Sequence, residues 1–282
     1  TLPWCEYGDH FEITGLAEDA AAGSDTELDN LYVKKTMQSM SRVAIKMEAD
    51  IASGAGTSGP NIFHGFTNAT GPLGLTGTYA GIARGTYAQW ASNSLLNGGV
   101  PRALTLALMH DIMEDIFTSG NGAIGGISAI VAGPGIWKKY GLLASADRRQ
   151  TLDAVRMREG VIRGQAIKFD AGWEALDFGG IPMFRSNNLT NDMLFINENH
   201  AFMKYLPAAA ARKARGEILA TLPIAGTRDE QAGINGASGL TASLIELSRN
   251  GNKSRFQVVG SYALCVDKPN AHGRIGDLDG SL

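Results

Sequence analysis

The chain has 282 residues, 44% of them hydrophobic and 19% charged, with a formal net charge of -3 at pH 7. That length is enough for one large domain or two smaller ones with a substantial core. No run of Lys and Arg marks a face that would grip nucleic acid, and no apolar stretch approaches the roughly 20 residues of a membrane span. The two cysteines, Cys5 and Cys265, make no disulfide framework and point to a reducing cytoplasm. The 36 glycines are scattered without period, which excludes a collagen-like or linker-like chain.

In chain order, His10–Thr14 alternates apolar and polar residues, predicting a strand with Phe11 and Ile13 on one face. Residues 26–53 carry the strongest helical pattern. Ser24 and Glu27 form a capping-box signature ahead of it. Leu28, Leu31, Met37, Met40, Val43, Ala44, Met47 and Ile51 recur at helical spacing, while Lys34, Lys35, Arg42 and Lys46 fall largely off that stripe. Gly54 supplies the stop. Such a helix is about 40 Å long, well above the usual 11–12 residues or so.

Residues 54–100 are rich in Gly, Thr, Asn and Ser and read as a long irregular segment with short strands at Leu73–Leu75 and Tyr79–Ile82. A loop of that length in a compact domain implies a task such as contacting a partner. A second helix is predicted over 101–118, with Pro101 at its start and Leu104, Leu108, Ile112 and Ile116 on its apolar face. Ile127–Ala132 reads as a buried strand, and Pro134 opens a short helix through Tyr140. Strand-like runs follow at Ala175–Phe178, Ile181–Arg185, Met193–Ile196 and His200–Leu206. Residues 207–221 look helical, and 224–240 form a Gly-rich loop. The last element, 256–267, alternates clearly. Phe256, Val258, Tyr262, Leu264 and Val266 share one face, and the strand is about 36 Å long.

Candidate chemistry is thin. Gly54–Gly59 and Gly120–Gly125 both match GxGxxG, but each follows a helix, whereas a dinucleotide site needs the glycines between a strand and a helix N-terminus. They read as loop glycines, and no cofactor is expected. His110, Asp111, Glu114 and Asp115 cluster on the second helix. His110 and Glu114 have metal-ligand spacing, but no second His-containing pair sits at ligand spacing elsewhere, so the cluster reads as a solvated or interfacial acidic face with no metal. Arg148, Arg149, Arg156, Arg158 and Arg163 interleave with Asp147, Asp153 and Glu159, which reads as a solvated or intersubunit surface. No GxSxG, CxxC or HExxH motif supplies a nucleophile or a metal-activated water, so no catalytic residue is expected.

Residues 77–90, Gly-Thr-Tyr-Ala-Gly-Ile-Ala-Arg-Gly-Thr-Tyr-Ala-Gln-Trp, resemble the segment that follows the long helix in major capsid proteins of tailed bacteriophages. Residues 128–140, 176–184, 193–206 and 256–276 resemble further pieces of that family in the same order. The resemblance implies an α+β capsid fold, shared with encapsulins, with an extended N-terminal hairpin loop, a peripheral domain built on a long spine helix, and an axial domain. Residues 1–25 would form part of the hairpin loop and the entry to the spine. Residues 26–100 would be peripheral, 101–245 axial, and 246–282 the peripheral closing strand and tail.

The implied function is structural, not enzymatic: self-assembly into hexamers and pentamers of an icosahedral shell around double-stranded DNA, without sequence-specific contacts. Portal, scaffold and decoration proteins would be further partners, with assembly in the host bacterial cytoplasm and residence in the virion. An encapsulin-type nanocompartment is the alternative, and a soluble α/β enzyme using the glycine loops or the His110–Glu114 pair is a more distant one. The family's arm and outgoing hairpin strand would precede Thr1, which is then an internal position of a longer product or the first residue of a trimmed one. Some relatives are welded by isopeptide bonds from a hairpin lysine. The first lysine here is Lys34, on the spine helix, so no such crosslink is expected from this chain.

The same stretch supplies the candidate intersubunit contacts: Gly81, Arg84, Gly85, Tyr87 and Trp90. The glycines permit close backbone approach, and Tyr87 and Trp90 would anchor a contact. The competing reading places both aromatics in the core.

Overall fold

The computed structural model describes residues 4–21, 25–54, 62–75, 77–87, 90–119, 126–147, 160–162, 165–167, 176–206, 234–235, 241–247 and 252–281. Its elements run β1 (Cys5–Thr14), α1 (Gly15–Ala21), α2 (Asp25–Ser53), β2 (Thr78–Tyr79), β3 (Ile82–Ala83), β4 (Asn93–Leu95), α3 (Leu106–Ser119), β5 (Ala129–Ala132) and α4 (Pro134–Asp147). They continue with β6 (Gly160–Ile162), β7 (Gln165–Ile167), β8 (Leu176–Phe178), β9 (Ile181–Arg185), β10 (Met193–Ile196), β11 (Ala201–Leu206), β12 (Ile234–Asn235), β13 (Thr241–Leu247), β14 (Lys253–Val266) and β15 (Gly273–Ile275). The result is a mixed α+β fold around two principal sheets.

The first sheet is organised by β14, whose residues alternate between buried and partly exposed positions from Lys253 to Val258, as a strand with one face on a core must, and are buried on both faces at Val258–Gly260. Strand β1 pairs with it antiparallel from Cys5↔Tyr262 to Thr14↔Lys253. On the other side of β14, β13 pairs with residues 255–259 and β11 with 261–266. Strand β12 extends the sheet beyond β13. The predicted Phe11–Ile13 face points inward and meets α2, where Phe11, Ile13, Met40, Phe256 and Val258 form one cluster and Cys5, Tyr7, Val43, Met47, Phe63 and Tyr262 another. Phe11 and Phe256 are direct cross-strand partners with stacked rings 5.3 Å apart, a pairing worth about 0.5–1.5 kcal/mol beyond the area it buries. Above them, Glu12 bridges Lys253 at 3.2 Å and Arg255 at 2.6 Å on the outer face.

Helix α2 matches the expected length, but its inner stripe differs at two places. Thr36 and Ser39 are buried, whereas Met37 is exposed. Ser39 is accommodated because its hydroxyl donates to Asp9 Oδ2 at 2.7 Å, and Arg42 Nε donates to the same oxygen at 2.8 Å. That carboxylate lies on β1, so the buried hydroxyl fixes the helix against the strand. The capping box of Ser24 and Glu27 lies outside the residues whose side chains are described. Gly54 ends the helix by close approach, not by a left-handed cap. A Cβ there would fall 2.4 Å from Phe63 O. The returning chain donates its own amides to the last carbonyls, with Phe66 N to Ile51 O at 2.8 Å, Thr67 N to Ala52 O at 2.9 Å and Gly65 N to Gly54 O at 2.9 Å. Backbone groups that a helix end leaves orphaned are thereby satisfied.

The second sheet has the order β4-β15-β10-β5-β9-β8, with β5–β9 and β15–β4 parallel and the remaining pairs antiparallel. Ile130, Ala132, Met183, Met193, Phe195 and Ile275 from its strands pack against Met109, Ile112 and Ile116 of α3 and Ile136 and Tyr140 of α4. Each fully buried large side chain contributes about 1.5–3 kcal/mol. Helix α3 begins later than the sequence suggests. Pro101 and Arg102 run extended, with Arg102 bridged to Leu278, and Thr105 caps the helix by accepting Leu108 N–H at 3.2 Å. The predicted faces mostly hold, with Leu104, Ile112 and Ile116 buried. Met109 is a core residue that the expected stripe omitted, and Leu108 is only half-buried. Helix α4 runs to Asp147, past the expected end at Tyr140.

Leu73–Leu75 is not a strand. It lies in a string of tight turns in which a Cβ at Gly71 or Gly74 would overlap a neighbouring carbonyl oxygen. The expected helix over 207–221 lies outside the described residues, as does most of the 224–240 loop. Residues 246–282 are shared between the sheets, because β14 belongs to the first and β15 to the second.

Candidate functional site

Residues 78–83 fold as a short hairpin whose turn residues, Ala80 and Gly81, both have positive φ, 55° and 83°. Two central residues of that kind match the right-handed twist of the flanking strands. The hairpin delivers Tyr79 to the interior, where it is fully buried. Its hydroxyl accepts Val266 N–H at 3.2 Å, and its ring stacks on Trp90 with centroids 6.1 Å apart. Trp90 Nε1 donates to Tyr79 O at 3.1 Å. Burial drives the Tyr79 phenol well above its ordinary pKa, so it remains a neutral hydroxyl.

Arg84 is 4% exposed and turns inward. Its guanidinium sits over the Tyr79 ring, 5.8 Å from the centroid, and donates to the carbonyls of Gly71 and Pro72. It therefore pins the glycine-rich turns at 71–74 to the hairpin. Burial lowers its pKa below the ordinary guanidinium value. Burial, with the Arg84 charge as a lesser cause, also holds His64 below the usual imidazole range.

The five residues singled out from sequence thus divide. Arg84 and Trp90 point into their own chain, Trp90 at the edge of a cluster with Phe66, Leu73, Tyr79, Leu189 and Leu194. Gly81 sits in the hairpin turn. Gly85 has open space where a Cβ would stand, and Tyr87 is 59% exposed. The core reading holds for Trp90 and fails for Tyr87. An Arg before a Gly-Thr-Tyr surface run gives no sequence signal of an inward turn, because charged residues are seldom buried without a partner.

Other candidates fall apart in space or lie elsewhere. His110 is exposed with its ring 5.0 Å from that of Phe178, and no group of three potential metal ligands occurs among the described residues. Gly120–Gly125, the glycines after Gly54 in the first GxGxxG run, and the five arginines of 148–163 lie outside the described residues, apart from the backbone strands β6 and β7.

The sequence reading missed the junction between the sheets. The 197–200 turn carries the chain from β10 to β11, and 267–272 carries it from β14 to β15. Asp267 N donates to His200 O at 3.2 Å, and His200 Nδ1 lies 2.9 Å from Asp267 Oδ1. Asn197 N donates to His272 Nδ1 at 3.2 Å, and His272 is wholly buried. Burial drops His272 to a pKa of about 4, so the ring stays neutral and accepting. The tail beyond it is tied by Arg274 to Asp192 at 2.8 Å, by Lys139 to Asp279 at 2.7 Å, and by Asp277, whose carboxylate accepts the Asn97 and Gly99 amides at 2.7 and 3.0 Å. Lone histidines spread along a sequence carry no spacing that reveals such a meeting.

No family model matches the chain, and no curated protein sequence does. Solved structures do. A capsid subunit of cyanophage A-1(L) superposes with a TM-score of 0.69 and 18% identity, covering 99% of this chain and 78% of the other. The SrpI encapsulin of Synechococcus elongatus PCC 7942 superposes with a TM-score of 0.52 and 10% identity, covering 99% of this chain and 75% of the other. A procapsid of satellite phage P4 gives a TM-score of 0.52 and 10% identity over 99% of this chain and 72% of that one. With the two-sheet architecture, the long helix and the long closing strand in place, these likenesses establish that the chain has the capsid fold shared by tailed-phage shells and encapsulins.

Proposed function

We propose that this chain is the major structural subunit of an icosahedral head shell of the tailed-phage type, assembling with copies of itself around double-stranded DNA. The observation that carries the reading is the likeness to the cyanophage capsid subunit over 99% of the chain. The subunit performs no chemistry: its work is the repetition of many modest contacts, which multivalency makes stable. In this reading α2 is the spine of a peripheral domain with the β14 sheet, and the six-stranded sheet with α3 and α4 is the axial domain. Cohesion comes from noncovalent burial between subunits, with Tyr87 and the open backbone at Gly85 as contact points. Portal, scaffold and decoration proteins are the further partners, and the assembled shell resides in the virion after assembly in the host cytoplasm.

The encapsulin reading draws on the SrpI likeness and differs only in cargo. Negative-stain electron microscopy of the purified protein tests both. Uniform polyhedral particles are expected; monomers and small oligomers at all concentrations would sink the shell reading. Nuclease-resistant DNA inside particles recovered from infected cells favours the phage head, and co-purifying protein cargo favours the compartment.

A further inference from the structure

Strand β4 runs out into the turn Leu96-Asn97-Gly98-Gly99-Val100, every residue of which is exposed. Gly98 and Gly99 have φ of 63° and 82°, and Val100 N donates to Asn97 O at 3.2 Å, as in a type I′ turn. The turn is strapped to the end of the chain. One oxygen of the Asp277 carboxylate accepts Asn97 N–H at 2.7 Å and Gly99 N–H at 3.0 Å. Behind it, Arg102 N donates to Asp277 O and Asp279 N donates to Arg102 O, both at 2.8 Å.

The amide between the two strapped ones, Gly98 N–H, is left over: among the described residues it has no hydrogen-bond partner. Nothing lies within 4 Å of the place where a Cβ of Gly98 would stand, so neither a side chain nor a neighbour screens this nitrogen. The Asn97 side chain is turned back along the turn, with Nδ2 donating to Val100 O at 2.7 Å. An asparagine followed by glycine is the pair in which a backbone nitrogen reaches the preceding side-chain carbonyl most readily, because closure of the small ring meets no side chain on the attacking residue. The other described asparagines precede a residue that carries a side chain, apart from Asn235, whose following glycine lies outside the described residues.

We propose that Asn97 is a self-modification site, where attack of Gly98 N on Asn97 Cγ, with water as the co-reactant, turns the amide into aspartate or isoaspartate and unstraps the 96–100 turn from the tail. The Gly98 nitrogen gives its proton to solvent base and bonds to Cγ; the Cγ–Nδ2 bond breaks, and the nitrogen leaves as ammonia after taking a proton from water. Water then opens the cyclic imide at one of its two carbonyls. Opening at Cγ gives aspartate, and opening at the backbone carbonyl gives isoaspartate, in which the chain runs on through Cγ. Nothing is oxidised or reduced. Either product sets a second carboxylate beside that of Asp277, and like charges so close repel. Isoaspartate also makes Asn97 O, the acceptor of Val100 N–H, part of a free carboxylate. Its longer main chain carries the Asn97 and Gly99 amides out of register with the one Asp277 oxygen that holds them both. This is a change in the chain itself and not catalysis, and it stands apart from the shell reading.

The test uses the unaltered full chain, incubated in mildly alkaline buffer, where solvent base is more abundant. Mass spectrometry of the peptide carrying residue 97 and labelling by an isoaspartate methyltransferase follow the conversion, and ion exchange separates the product. The expected result is loss of the amide at Asn97 in the folded chain and an isoform more acidic by one charge. Limited proteolysis should cut the 276–281 tail in that isoform and spare it in the parent. Asn97→Gln, whose longer side chain closes a larger ring far more slowly, should keep its amide and give no acidic isoform from this position. A folded chain that keeps the Asn97 amide over the time in which the same chain unfolded in guanidinium chloride loses it would overturn the site. An acidic isoform whose tail resists protease as the parent's does would overturn the release of the strap.

Discussion

The two sheets are held together in different ways. The β14 sheet is built from long elements in extended register: ten residues of β1 lie against β14, and α2 runs beneath them. The six-stranded sheet is built from short strands, several of three to five residues, drawn from distant parts of the chain. Long paired strands carry their own register, because a slip of one residue would turn a whole face outward. Short strands cannot do this. Their order depends on helices α3 and α4 and on the tail that locks β15 between β4 and β10. One region is specified by pattern, the other by packing.

The largest effect expected from this contrast is at Phe195, which is completely buried in the six-stranded sheet. Phe195→Ala should cost about 3–5 kcal/mol in urea unfolding of unassembled protein. Hydrogen exchange should then show protection lost in β5, β10 and β15 while β1 and β14 retain theirs. Simultaneous loss in both sheets would mean that they unfold as one unit and that the contrast has no energetic counterpart.

Next comes Gly135 at the start of α4, where a Cβ would fall 2.0 Å from Gly280 O, a backbone atom with little room to move. Gly135→Ala should cost about 1–3 kcal/mol and free the 276–281 tail to limited proteolysis. An intact, protease-resistant tail would show that the slot is looser than drawn.

Gly260 tests the other sheet. A Cβ there would meet the folded-back Tyr262 ring, 2.3 Å from its hydroxyl. Gly260→Ala should cost about 1–2 kcal/mol, less than a backbone clash because a side chain can adjust, and the Tyr262→Phe background should recover part of it. No recovery would place the strain elsewhere in β14.

The smallest effect concerns pH. The unfolded His272 imidazole takes a proton near its ordinary 6.5, whereas the folded one does so only near 4. Between those values the unfolded chain binds more protons, so stability is full above the window and declines as pH falls through it. His64 contributes in the same direction, whereas Asp9 and Asp277, with lowered pKa values, act only at more acidic pH. His272→Gln should flatten the decline in urea midpoint between pH 6.5 and 4; an unchanged slope would mean that the junction does not sense protons.

What could be read from the sequence follows the same division. Helix α2 and strands β1 and β14 were legible because their burial repeats with a fixed period over many residues. The start of α3 was misplaced because Pro101 is as compatible with an extended entry as with a first helical turn, and only the pairing of Arg102 with Leu278 decides. Met37 was assigned inward by type, while Thr36 and Ser39 occupy the inner stripe; Ser39 does so through a hydrogen bond to Asp9, a partner thirty residues away that periodicity does not see. Among the candidate contacts, Tyr87 stands exposed as a contact would require, whereas Arg84 found its carbonyl partners through glycine turns whose geometry no local pattern announces.

The place of β15 bears on how the protein is made. Strand β4 leaves the ribosome early, yet its parallel neighbour lies at residues 273–275, some 180 positions later by the register Gly273↔Asn93. During synthesis the place of β15, next to the edge strand β4, therefore stays open, and nascent or prematurely terminated chains present unpaired edges at β4 and β10. Such species are targets for chaperones and proteases. This ordering acts as proofreading: only a chain translated through residue 275 can complete the six-stranded sheet.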